Sequence, residues 1–330
     1  MKTMPKDIKR IAVFTSGGDA PGMNAAIRSV VRTAGYHDLH VYGIYRGYDG
    51  MINGNIKRLE RRDVGNIMHR GGTILKTARS EAFRTKEGRE QAYEALTAHD
   101  IDACVAIGGN GTFTGAKIFM EEYDIPFVGL PGTIDNDIFG TDYTIGFDTA
   151  INTAIEAVDR IRDTADSHNR LFFIEVMGRH SGYIALHTGI GSGASSIFLP
   201  EVDNSIEKLS SMLSKSAKRK KLFNLIIVAE GNKNGNAMMI ADKIKMMNPE
   251  YDTKVTIIGH LQRGGAPSCQ DRVLSARLGY AAVESLLEGK SGVALGVIND
   301  EISYTPFEDA ITKSKELNKD LIQMAEILAL

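Results

Sequence analysis

The segment Pro131-Gly132-Thr133-Ile134-Asp135-Asn136-Asp137 places a hydroxyl and two carboxylates directly after an apolar run, residues 125–130, that predicts a buried strand. Carboxylates are costly to bury without partners, so we expect this turn to face solvent, a ligand or a metal. In an open α/β sheet, ligands collect at the turns that follow the carboxyl ends of the strands. The same residues are also typical of an Asn/Asp turn that closes a strand, and the segment alone leaves both interpretations open.

Two glycine-rich turns, Gly17-Gly18-Asp19 and Gly108-Gly109-Asn110-Gly111-Thr112, each follow a predicted strand and precede a predicted helix. Glycine lets the backbone approach a ligand closely, and the N–H groups at a helix start favour anions. Neither turn is a Walker A motif or a full dinucleotide fingerprint, so each alone is weak support for a phosphate site. With the 131–137 turn they are expected at the same edge of one sheet, where they strengthen one another.

Three arginines lie beside glycines or in short loops, namely Arg79, Arg179 and Arg263. The guanidinium fork suits bidentate recognition of phosphate, although a surface arginine is usually only solvated. Together with the carboxylates they indicate phosphoryl transfer. In that chemistry cations hold the moving group and a carboxylate takes a proton from the acceptor hydroxyl.

The elements that would position these residues alternate along the chain. We predict strands over residues 11–14, 40–45, 103–107, 125–130, 171–176, 225–229, 255–258 and 293–298. We predict helices over 23–34, 87–99 and 148–166, and one that follows Thr112 and ends near Tyr123. Strand, turn and helix in repetition predict parallel sheets covered by helices, with a domain change near residues 144–149.

The composition is ordinary for a soluble globular protein. The chain has 330 residues, enough for about two domains, and Lys plus Arg (39) nearly balance Asp plus Glu (41). A net charge of −2 gives no general support for binding nucleic acid or an anionic membrane. Cys104 is expected to be a core residue. We see neither a membrane span nor a secretory signal, so a cytoplasmic location is expected.

With these motifs in place, the chain resembles the bacterial 6-phosphofructokinases, the phosphofructokinase A family, over essentially its whole length. The stretches that carry the resemblance are residues 15–28, 131–137, 140–147, 175–179 and 259–265. The resemblance implies transfer of the γ-phosphoryl group of ATP to the 1-hydroxyl of fructose 6-phosphate with magnesium (Mg²⁺), the committed step of glycolysis.

The same resemblance implies two Rossmann-like three-layer α/β/α domains with the active site in the cleft between them. Residues 1–146 plus about 262–312 would form the nucleotide-binding domain. Residues from about 147 to 261 plus 313–330 would form the fructose 6-phosphate-binding domain.

The family's functional residues can be carried over position by position. Asp135 would be the general base, Thr133 would contact the transferred phosphoryl group, and Arg179 would neutralise the transition state. The nucleotide would be lined by Gly17, Arg79, Ser80, Gly109, Asn110, Gly111 and Thr112. The sugar would contact Met177, Gly178, Glu230 and His260, and its 6-phosphate Arg170, Lys254 and Arg263. Magnesium would involve Asn110 and Asp137.

Three positions depart from the family pattern. Asn110 stands where an Asp is usual; it keeps an oxygen ligand but loses the charge that hard cations favour. Lys76 stands where Gly is frequent, and we hypothesise that its ammonium lies near the nucleotide phosphates and partly replaces the metal. Lys254 stands where Arg is usual, so it keeps the charge but loses the fork geometry.

In the family, the residue that matches Arg170 comes from a neighbouring subunit, which implies a homotetramer with shared active sites. An effector site for ADP or phosphoenolpyruvate also lies between subunits. However, Ser195 occupies the position where a Glu normally contacts effector-bound magnesium. The basic residues that match the effector site are Arg28, Arg32, Arg61, Arg162, Arg219 and Lys221.

The phosphoryl donor can be predicted from two positions. Pyrophosphate-using relatives tend to carry Asp after Gly-Gly-Asp and Lys before Thr-Ile-Asp, whereas this chain has Gly111 and Gly132. Both residues favour ATP. Two alternatives stay open: a pyrophosphate-dependent phosphofructokinase, and a catalytically weakened regulatory or sensor subunit, for which Asn110 is the motive.

Overall fold

The computed structural model describes residues 8–165, 170–218 and 223–329. The strands are β1 Arg10–Thr15, β2 His40–Ile44, β3 Ile56–Leu59, β4 Ala103–Gly108, β5 Phe127–Pro131, β6 Arg170–Val176, β7 Ser196–Phe198, β8 Phe223–Ala229, β9 Asp252–Ile257, β10 Val293–Ile298 and β11 Glu301–Pro306.

The α-helices are α1 Met23–Tyr36, α2 Gly47–Ile52, α3 Lys86–Ala98, α4 Asn110–Glu122, α5 Phe147–Ala165, α6 Tyr183–Gly191, α7 Ile206–Lys218, α8 Ala237–Met247, α9 Cys269–Leu287, α10 Phe307–Thr312 and α11 Lys319–Leu328. Short 3₁₀ helices span Ala82–Arg84 and Gly259–Arg263. Within the described chain, no helix combines the length and the apolar character that a membrane crossing requires.

The chain divides into two compact units. Unit 1 contains residues up to Thr133, then Asp137–Thr149 and Arg263–Lys315. Unit 2 contains Ile134–Asn136, Ala150–Gln262 and the residues from Glu316.

Unit 1 is built on a seven-stranded sheet with the order β11-β10-β5-β4-β1-β2-β3. Successive strand residues point to opposite faces. Ala12 and Phe14 of β1 therefore pack into a cluster with residues of α2, α3, α4 and α10. The alternate residues Ile11 and Val13 are equally buried and face the side on which α1 and α9 pack. Helices thus cover both faces, which confirms the α/β/α expectation for this unit.

Unit 2 is built on a parallel four-stranded sheet with the order β7-β8-β6-β9. Leu171 and Phe173 of β6 pack against the apolar residues of α7 and α8. Helix α6 contacts β8, and α11 in turn packs on α6.

The prediction of parallel sheets holds for the inner strands of the larger sheet but is wrong at its two edges. β3 pairs with β2 in the antiparallel sense, and β11 pairs with β10 in the same way. The turn between β10 and β11 consists of Asn299 and Asp300, whose φ angles are 50° and 65°. Two positive φ values are typical of the tight hairpin turn whose twist matches that of the strands.

Other expectations are closer to the structure. Cys104 is fully buried in β4, as predicted for a core residue, and burial raises the pKa of its thiol. The glycine turn that we placed over residues 108–112 is shorter than predicted, because α4 begins at Asn110. Asn110, Gly111 and Thr112 are therefore the first turn of a helix.

Candidate active site

Three polar turns start at neighbouring strand ends in unit 1. Strands β1, β4 and β5 are adjacent and parallel, so the turns after Thr15, Gly108 and Pro131 begin at the same edge of the sheet, as predicted. Main-chain hydrogen bonds join them: Ser16 N–H donates to Ile107 at 3.0 Å, and Gly132 N–H donates to Gly108 at 3.0 Å. These hydrogen bonds fix the backbone that carries the candidate side chains at this edge of the sheet.

The first glycine turn contacts the start of α4. Thr112 Oγ1 donates to the carbonyl of Ser16 at 3.3 Å. A Cβ placed on Gly17 would lie 3.8 Å from Thr112 Oγ1. A Cβ on Gly109 or Gly111 would meet no atom of the described chain within 4 Å. Thr112 N–H and Phe113 N–H donate to the carbonyl of Gly109, whereas the N–H groups before them lie at a helix N-terminus, where intrahelical acceptors are lacking. Open space therefore adjoins an anion-favouring helix end.

Asn110 offers an oxygen that suits a cation. Within the part of the chain that the structure describes, its Oδ1 is buried and has no hydrogen-bond partner. No cluster of three or more His, Cys, Asp or Glu that could hold a metal occurs among the described residues. Mg²⁺ usually keeps waters and substrate phosphates and needs only one or two protein oxygens. The residues present therefore fit a magnesium ion that arrives with a phosphate ligand.

Lys76 lies on a segment that is fastened to the end of β1. Its carbonyl accepts a hydrogen bond from Thr15 Oγ1 at 3.0 Å, and Ile74 N–H donates to Asn24 Oδ1 at 2.7 Å. Lys76 has a φ of 57°, a left-handed conformation that favours glycine. The chain therefore carries an exposed lysine at a position where the backbone conformation favours glycine.

The neighbouring candidates of this segment differ in surroundings. Arg79 is exposed, whereas Ser80 Oγ accepts a hydrogen bond from Phe83 N–H at 3.3 Å and supports the short 3₁₀ helix there. Thr133 is fixed through its main chain, because Thr144 Oγ1 donates to its carbonyl at 2.6 Å.

Arg263 lies against the first glycine turn rather than among the other sugar-phosphate candidates. Its Nη1 donates to the carbonyl of Asp19 at 3.0 Å. A Cβ on Gly18 would stand 2.6 Å from that Nη1, so this arginine occupies space that only a glycine leaves open. Both belong to unit 1.

Near Asp137, the structure has a lysine that sequence reasoning missed. Burial lowers the pKa of the Lys315 ammonium to about 8, although Asp142 and Asp137 act in the opposite direction. Its Nζ donates to the carbonyl of Asp142 at 2.9 Å. Asp137, a candidate metal contact, therefore has a cation in its surroundings.

In unit 2, the loop after β6 carries Met177, Gly178 and Arg179. Arg179 has a φ of 53°, and its N–H donates to Glu230 Oε1 at 2.8 Å. Arg179, predicted to neutralise the transition state, is thus hydrogen-bonded to Glu230, a predicted sugar contact. Met177 N–H donates to Oε1 of Gln262 at 2.9 Å, a residue that we did not predict.

Asp135 is joined to the same loop. It is 5% exposed, and its carbonyl accepts a hydrogen bond from Ser181 Oγ at 2.8 Å. Ser181 N–H in turn donates to the carbonyl of Gly178 at 2.8 Å. Unit 2 therefore brings together the candidate base Asp135, the loop after β6 and Glu230. The exposed His260 lies on the 3₁₀ helix that carries Gln262.

Arg170 and Lys254 lie at the other end of the unit 2 sheet. Both are paired with one carboxylate, Asp252: Arg170 Nε lies 3.3 Å from it and Lys254 Nζ 2.8 Å. The hydrogen bond from Lys254 holds the pKa of Asp252 below its usual range. Arg170 begins β6, and Met177 follows its last residue. At about 3.3 Å per residue the two ends are roughly 20 Å apart, so these cations do not join the 177–179 loop of their own chain.

The effector candidates are distributed over both units. Arg28 is half-buried and Arg32 exposed on α1, where Arg61 donates to the carbonyl of Gly35. In unit 2, Arg162 donates to the carbonyl of Ser192. Ser195 is buried, with its Oγ 3.3 Å from Asn224 Oδ1. Arg219 and Lys221 lie outside the described residues.

The chain is similar in sequence to known proteins over nearly its whole length. The sequence profile of the family described as Phosphofructokinase matches residues 10–286. A protein of Cytophaga hutchinsonii named ATP-dependent 6-phosphofructokinase is 56% identical over 321 residues, which is 97% of this chain and 98% of the relative. A protein of the same name in Thermus thermophilus, ATP-dependent 6-phosphofructokinase 1, is 53% identical over 98% of this chain and 100% of the relative.

Solved structures resemble the fold over nearly the whole chain. Phosphofructokinase from Saccharomyces cerevisiae matches with a TM-score of 0.89 and 38% identity, covering 97% of this chain; this chain spans 48% of the yeast chain. A pyrophosphate-dependent phosphofructokinase from Marinobacter aquaeolei matches with a TM-score of 0.83 at 24% identity, over 98% of this chain and 92% of the other. At that identity the likeness concerns the fold alone.

Proposed function

The chain belongs to the phosphofructokinase family, and we propose that it transfers the γ-phosphoryl group of ATP to the 1-hydroxyl of fructose 6-phosphate, giving fructose 1,6-bisphosphate and ADP. The observation that carries the proposal is the common sheet edge of β1, β4 and β5, where both glycine turns and the Thr133 turn begin. Full-length relatives named ATP-dependent 6-phosphofructokinase support the choice of reaction.

ATP as donor is supported by the space around two glycines. A Cβ on Gly111 would meet no described atom within 4 Å, which leaves room for a nucleotide beyond its terminal phosphates. A Cβ on Gly132 would stand 2.9 Å from Met23 Cε and 3.0 Å from Ile107 Cγ2. The lysine that pyrophosphate users tend to carry there would require Met23 and Ile107 to move, so the surroundings of Gly132 favour ATP.

In the proposed mechanism, unit 1 binds the nucleotide and unit 2 the sugar. Gly17, Thr112 and the N-terminus of α4 hold the phosphates, with Arg79 reaching them. Asp135 takes the proton from the 1-hydroxyl of the sugar as that oxygen attacks phosphorus. The hydrogen bond from the Ser181 hydroxyl to the main-chain carbonyl of Asp135 keeps the base in position.

Cations complete the proposed site. Thr133 donates to the transferred phosphoryl group, and Arg179 neutralises the charge that develops on it. Asn110 Oδ1, assisted by Asp137, would hold the magnesium ion. When bound, that ion would supply positive charge to the nucleotide phosphates.

We further propose a homotetramer in which the 6-phosphate receives Arg170 and Lys254 from a second copy of the chain. The separation of roughly 20 Å along β6 supports this arrangement, because one chain alone does not bring these cations to its own Met177–Arg179 loop. Arg28, Arg32 and Arg61 would bind an anionic effector such as ADP or phosphoenolpyruvate. The proposed location is the cytoplasm.

A donor assay with the purified protein tests the function. Fructose 6-phosphate and Mg²⁺ are supplied with either ATP or pyrophosphate, and sugar bisphosphate formation is measured. We expect turnover with ATP and none with pyrophosphate. Turnover with pyrophosphate alone would overturn the donor assignment. Sugar binding without turnover with either donor would favour the alternative of a catalytically weakened regulatory or sensor subunit, which Asn110 suggests.

A further inference from the structure

Gln262 is a polar side chain in a fully buried position. It lies in the 3₁₀ helix Gly259–Arg263 and is 0% exposed. Buried polar groups are nearly always hydrogen-bonded, and both ends of this amide have partners. Oε1 accepts from Met177 N–H at 2.9 Å, and Nε2 donates to the carbonyl of Ala150 at 3.4 Å. One side chain therefore joins three segments that are far apart in sequence.

The segment that donates to Gln262 Oε1 is the loop Met177–Arg179, which we call the sugar loop. Met177 is its first residue, and the next two, Gly178 and Arg179, have φ angles of 142° and 53°. A non-glycine residue in the left-handed region is strained and persists where its surroundings over-determine it. Glu230 fixes the far side of the loop at Arg179 N–H, and Gln262 fixes the near side at Met177 N–H.

The segment that carries Gln262 is also part of the candidate site. His260 and Arg263 belong to the same 3₁₀ helix, so an amide anchored at Ala150 fixes the backbone from which both side chains extend. An apolar residue of similar size would fill the same volume. It would leave the N–H of Met177 buried without an acceptor, which is the costly outcome, and would release the Ala150 carbonyl of α5 from its link to this segment.

We propose that Gln262 is a positioning residue for sugar binding, which holds Met177–Arg179 in register with His260. This inference rests on the proposed function, because it assumes that the loop binds fructose 6-phosphate. Gln262 itself touches no reacting atom. Its removal should therefore raise the KM for the sugar phosphate more than it lowers kcat, and it should leave the KM for ATP nearly unchanged.

The first variant is Gln262→Leu, which removes both hydrogen bonds and keeps the volume. Because the Met177 N–H would be left buried without an acceptor, we expect the KM for fructose 6-phosphate to rise about tenfold. Isothermal titration with fructose 6-phosphate should show a similar rise in Kd. A thermal melt by circular dichroism reports whether the variant is folded at the assay temperature.

The second variant, Gln262→Glu, is the sharper test because the introduced carboxyl can be switched by pH. Burial raises the pKa of a carboxyl. When protonated, this one can accept from Met177 N–H and donate to the Ala150 carbonyl, as the amide does. When ionised it has no donor for Ala150. We therefore expect sugar affinity close to the wild-type value at low pH, and a progressive loss as pH rises that the wild type does not share.

The control for this pH effect is Asn248→Asp. Asn248 is 2% exposed in unit 2, and its amide donates to Ser210 and Ser214, away from the sugar loop. The change buries a carboxyl of the same kind, so it should lower Tm without moving the KM for the sugar with pH. The native ionisable groups on the segments that Gln262 joins, and Glu230, which is hydrogen-bonded to one of them, are unchanged in all variants. The wild-type profile measures their contribution: Asp148, Arg179, His180, Glu230, His260 and Arg263.

The outcomes distinguish the positioning role of Gln262 from the proposed function. A wild type that binds and phosphorylates fructose 6-phosphate, beside a folded Gln262→Leu with unchanged KM, would overturn the positioning role alone. If Gln262→Leu does not fold, a Gln262→Glu variant whose sugar KM follows the wild-type pH profile overturns that role in the same way. A wild type that neither binds nor phosphorylates the sugar overturns the proposed function and this inference together.

Discussion

Gly18 is a position at which an added methyl group would meet a candidate phosphate-binding side chain. An ideal Cβ there stands 2.6 Å from Nη1 of Arg263 and 3.2 Å from its Cζ. The obstructing atoms are the far end of a flexible side chain, so the arginine can move and the backbone need not. The glycine therefore keeps Arg263 on the carbonyl of Asp19.

For Gly18→Ala we expect displacement of Arg263 and little loss of stability. Charge-assisted hydrogen bonds contribute about 1.5–3 kcal/mol, so the KM for fructose 6-phosphate should rise about tenfold if Arg263 holds the 6-phosphate. Steady-state kinetics and a thermal melt measure the two effects. The matched control is Gly35→Ala, whose Cβ would stand 2.9 Å from Nε of Arg61. An unchanged sugar KM in Gly18→Ala would remove Arg263 from the phosphate site.

Asn110 is the second position at which one atom type matters. Its buried Oδ1 has no hydrogen-bond partner in the described chain, so a carboxylate at the same place would be free to bind a cation. For Asn110→Asp we expect the half-saturating concentration of free Mg²⁺ to fall about tenfold, since an added negative charge near a divalent ion contributes more than about 1 kcal/mol. Titration with Mg²⁺ at fixed nucleotide measures it by calorimetry, independently of turnover.

Lys76 provides the comparison for that titration. If its ammonium partly replaces the metal, Lys76→Ala should raise the Mg²⁺ requirement of the wild type and raise it less in the Asn110→Asp background. The double-mutant cycle measures this coupling. Equal effects of Lys76→Ala in both backgrounds would show that the two positions act independently.

At the scale of elements, Asp271 connects the starts of two helices. It lies in the first turn of α9, and its carboxyl accepts hydrogen bonds from Gly146 N–H and Thr149 N–H, both at 2.8 Å. Burial nevertheless raises its pKa from 3.8 to about 6, while these hydrogen bonds and that of the Thr149 hydroxyl act in the opposite direction. The carboxyl thus fixes the beginning of α5 at the cost of a buried charge.

The raised pKa predicts a specific pH dependence of stability. Because the folded-state pKa of about 6 lies above the unfolded value of 3.8, the carboxyl's contribution is fully present below that unfolded value and is lost as pH rises through about 6. From about pH 4.5 to 7 the loss should be about 2 kcal/mol. Chemical denaturation of wild type and Asp271→Asn should show it as a shrinking difference in the free energy of unfolding.

Asp124→Asn is the control for this comparison, because Asp124 is exposed. Its difference from the wild type should stay constant over the same pH range. A wild-type advantage over Asp271→Asn that grows with pH would mean that the hydrogen bonds outweigh burial, and that the folded-state pKa lies below 3.8.

The same elements show how far the sequence could be interpreted. The central strands β1, β4 and β5 are continuous apolar runs that end in glycine or polar turns, so their places were predictable. The edge strands were not, because the inner two of the four residues of β3 are exposed and most of β11 is half-buried or exposed, so neither strand is a continuous apolar run. The Asn299-Asp300 pair between β10 and β11 was the available signal for the hairpin.

For the site, motifs predicted the residues that would touch substrates but not those that position them. Ser181 and Gln262 act on the main chain of Asp135 and Met177, at sequence separations that no local pattern spans. Arg263 was predicted as a phosphate residue, yet only the structure shows its hydrogen bond to Asp19. A side chain's partner across the fold depends on packing, which periodicity and spacing do not contain.

At the scale of the whole molecule, unit 2 presents two cationic regions at opposite ends of β6. Arg170 and Lys254 meet at Asp252, and Arg179 follows the other end of the strand, roughly 20 Å away. A sugar phosphate is far shorter than this separation. If both regions bind the same substrate, the second must come from another copy, and closed symmetric assemblies repeat such a contact for every subunit.

Complementation between two inactive variants tests this arrangement. Asp135→Asn removes the proposed base, and Arg170→Ala removes the cation that we assign to the neighbouring copy. Co-expressed in equal amounts, the two chains should form hybrids in which about one quarter of the sites combine an intact Asp135 with an intact Arg170, because each is present in half of the chains. Turnover should therefore return to about a quarter of the wild-type value, although each variant alone is nearly inactive.

The control mixes Asp135→Asn with the double variant Asp135→Asn/Arg170→Ala. No hybrid of these chains contains an intact base, so turnover should stay at the level of the single variants. Restoration in the first mixture but not in the second requires a site built from two chains. If neither mixture regains activity while native mass spectrometry shows hybrids, Arg170 serves its own chain or no substrate at all, and the cations on Asp252 are then a structural pair of the β6–β9 edge.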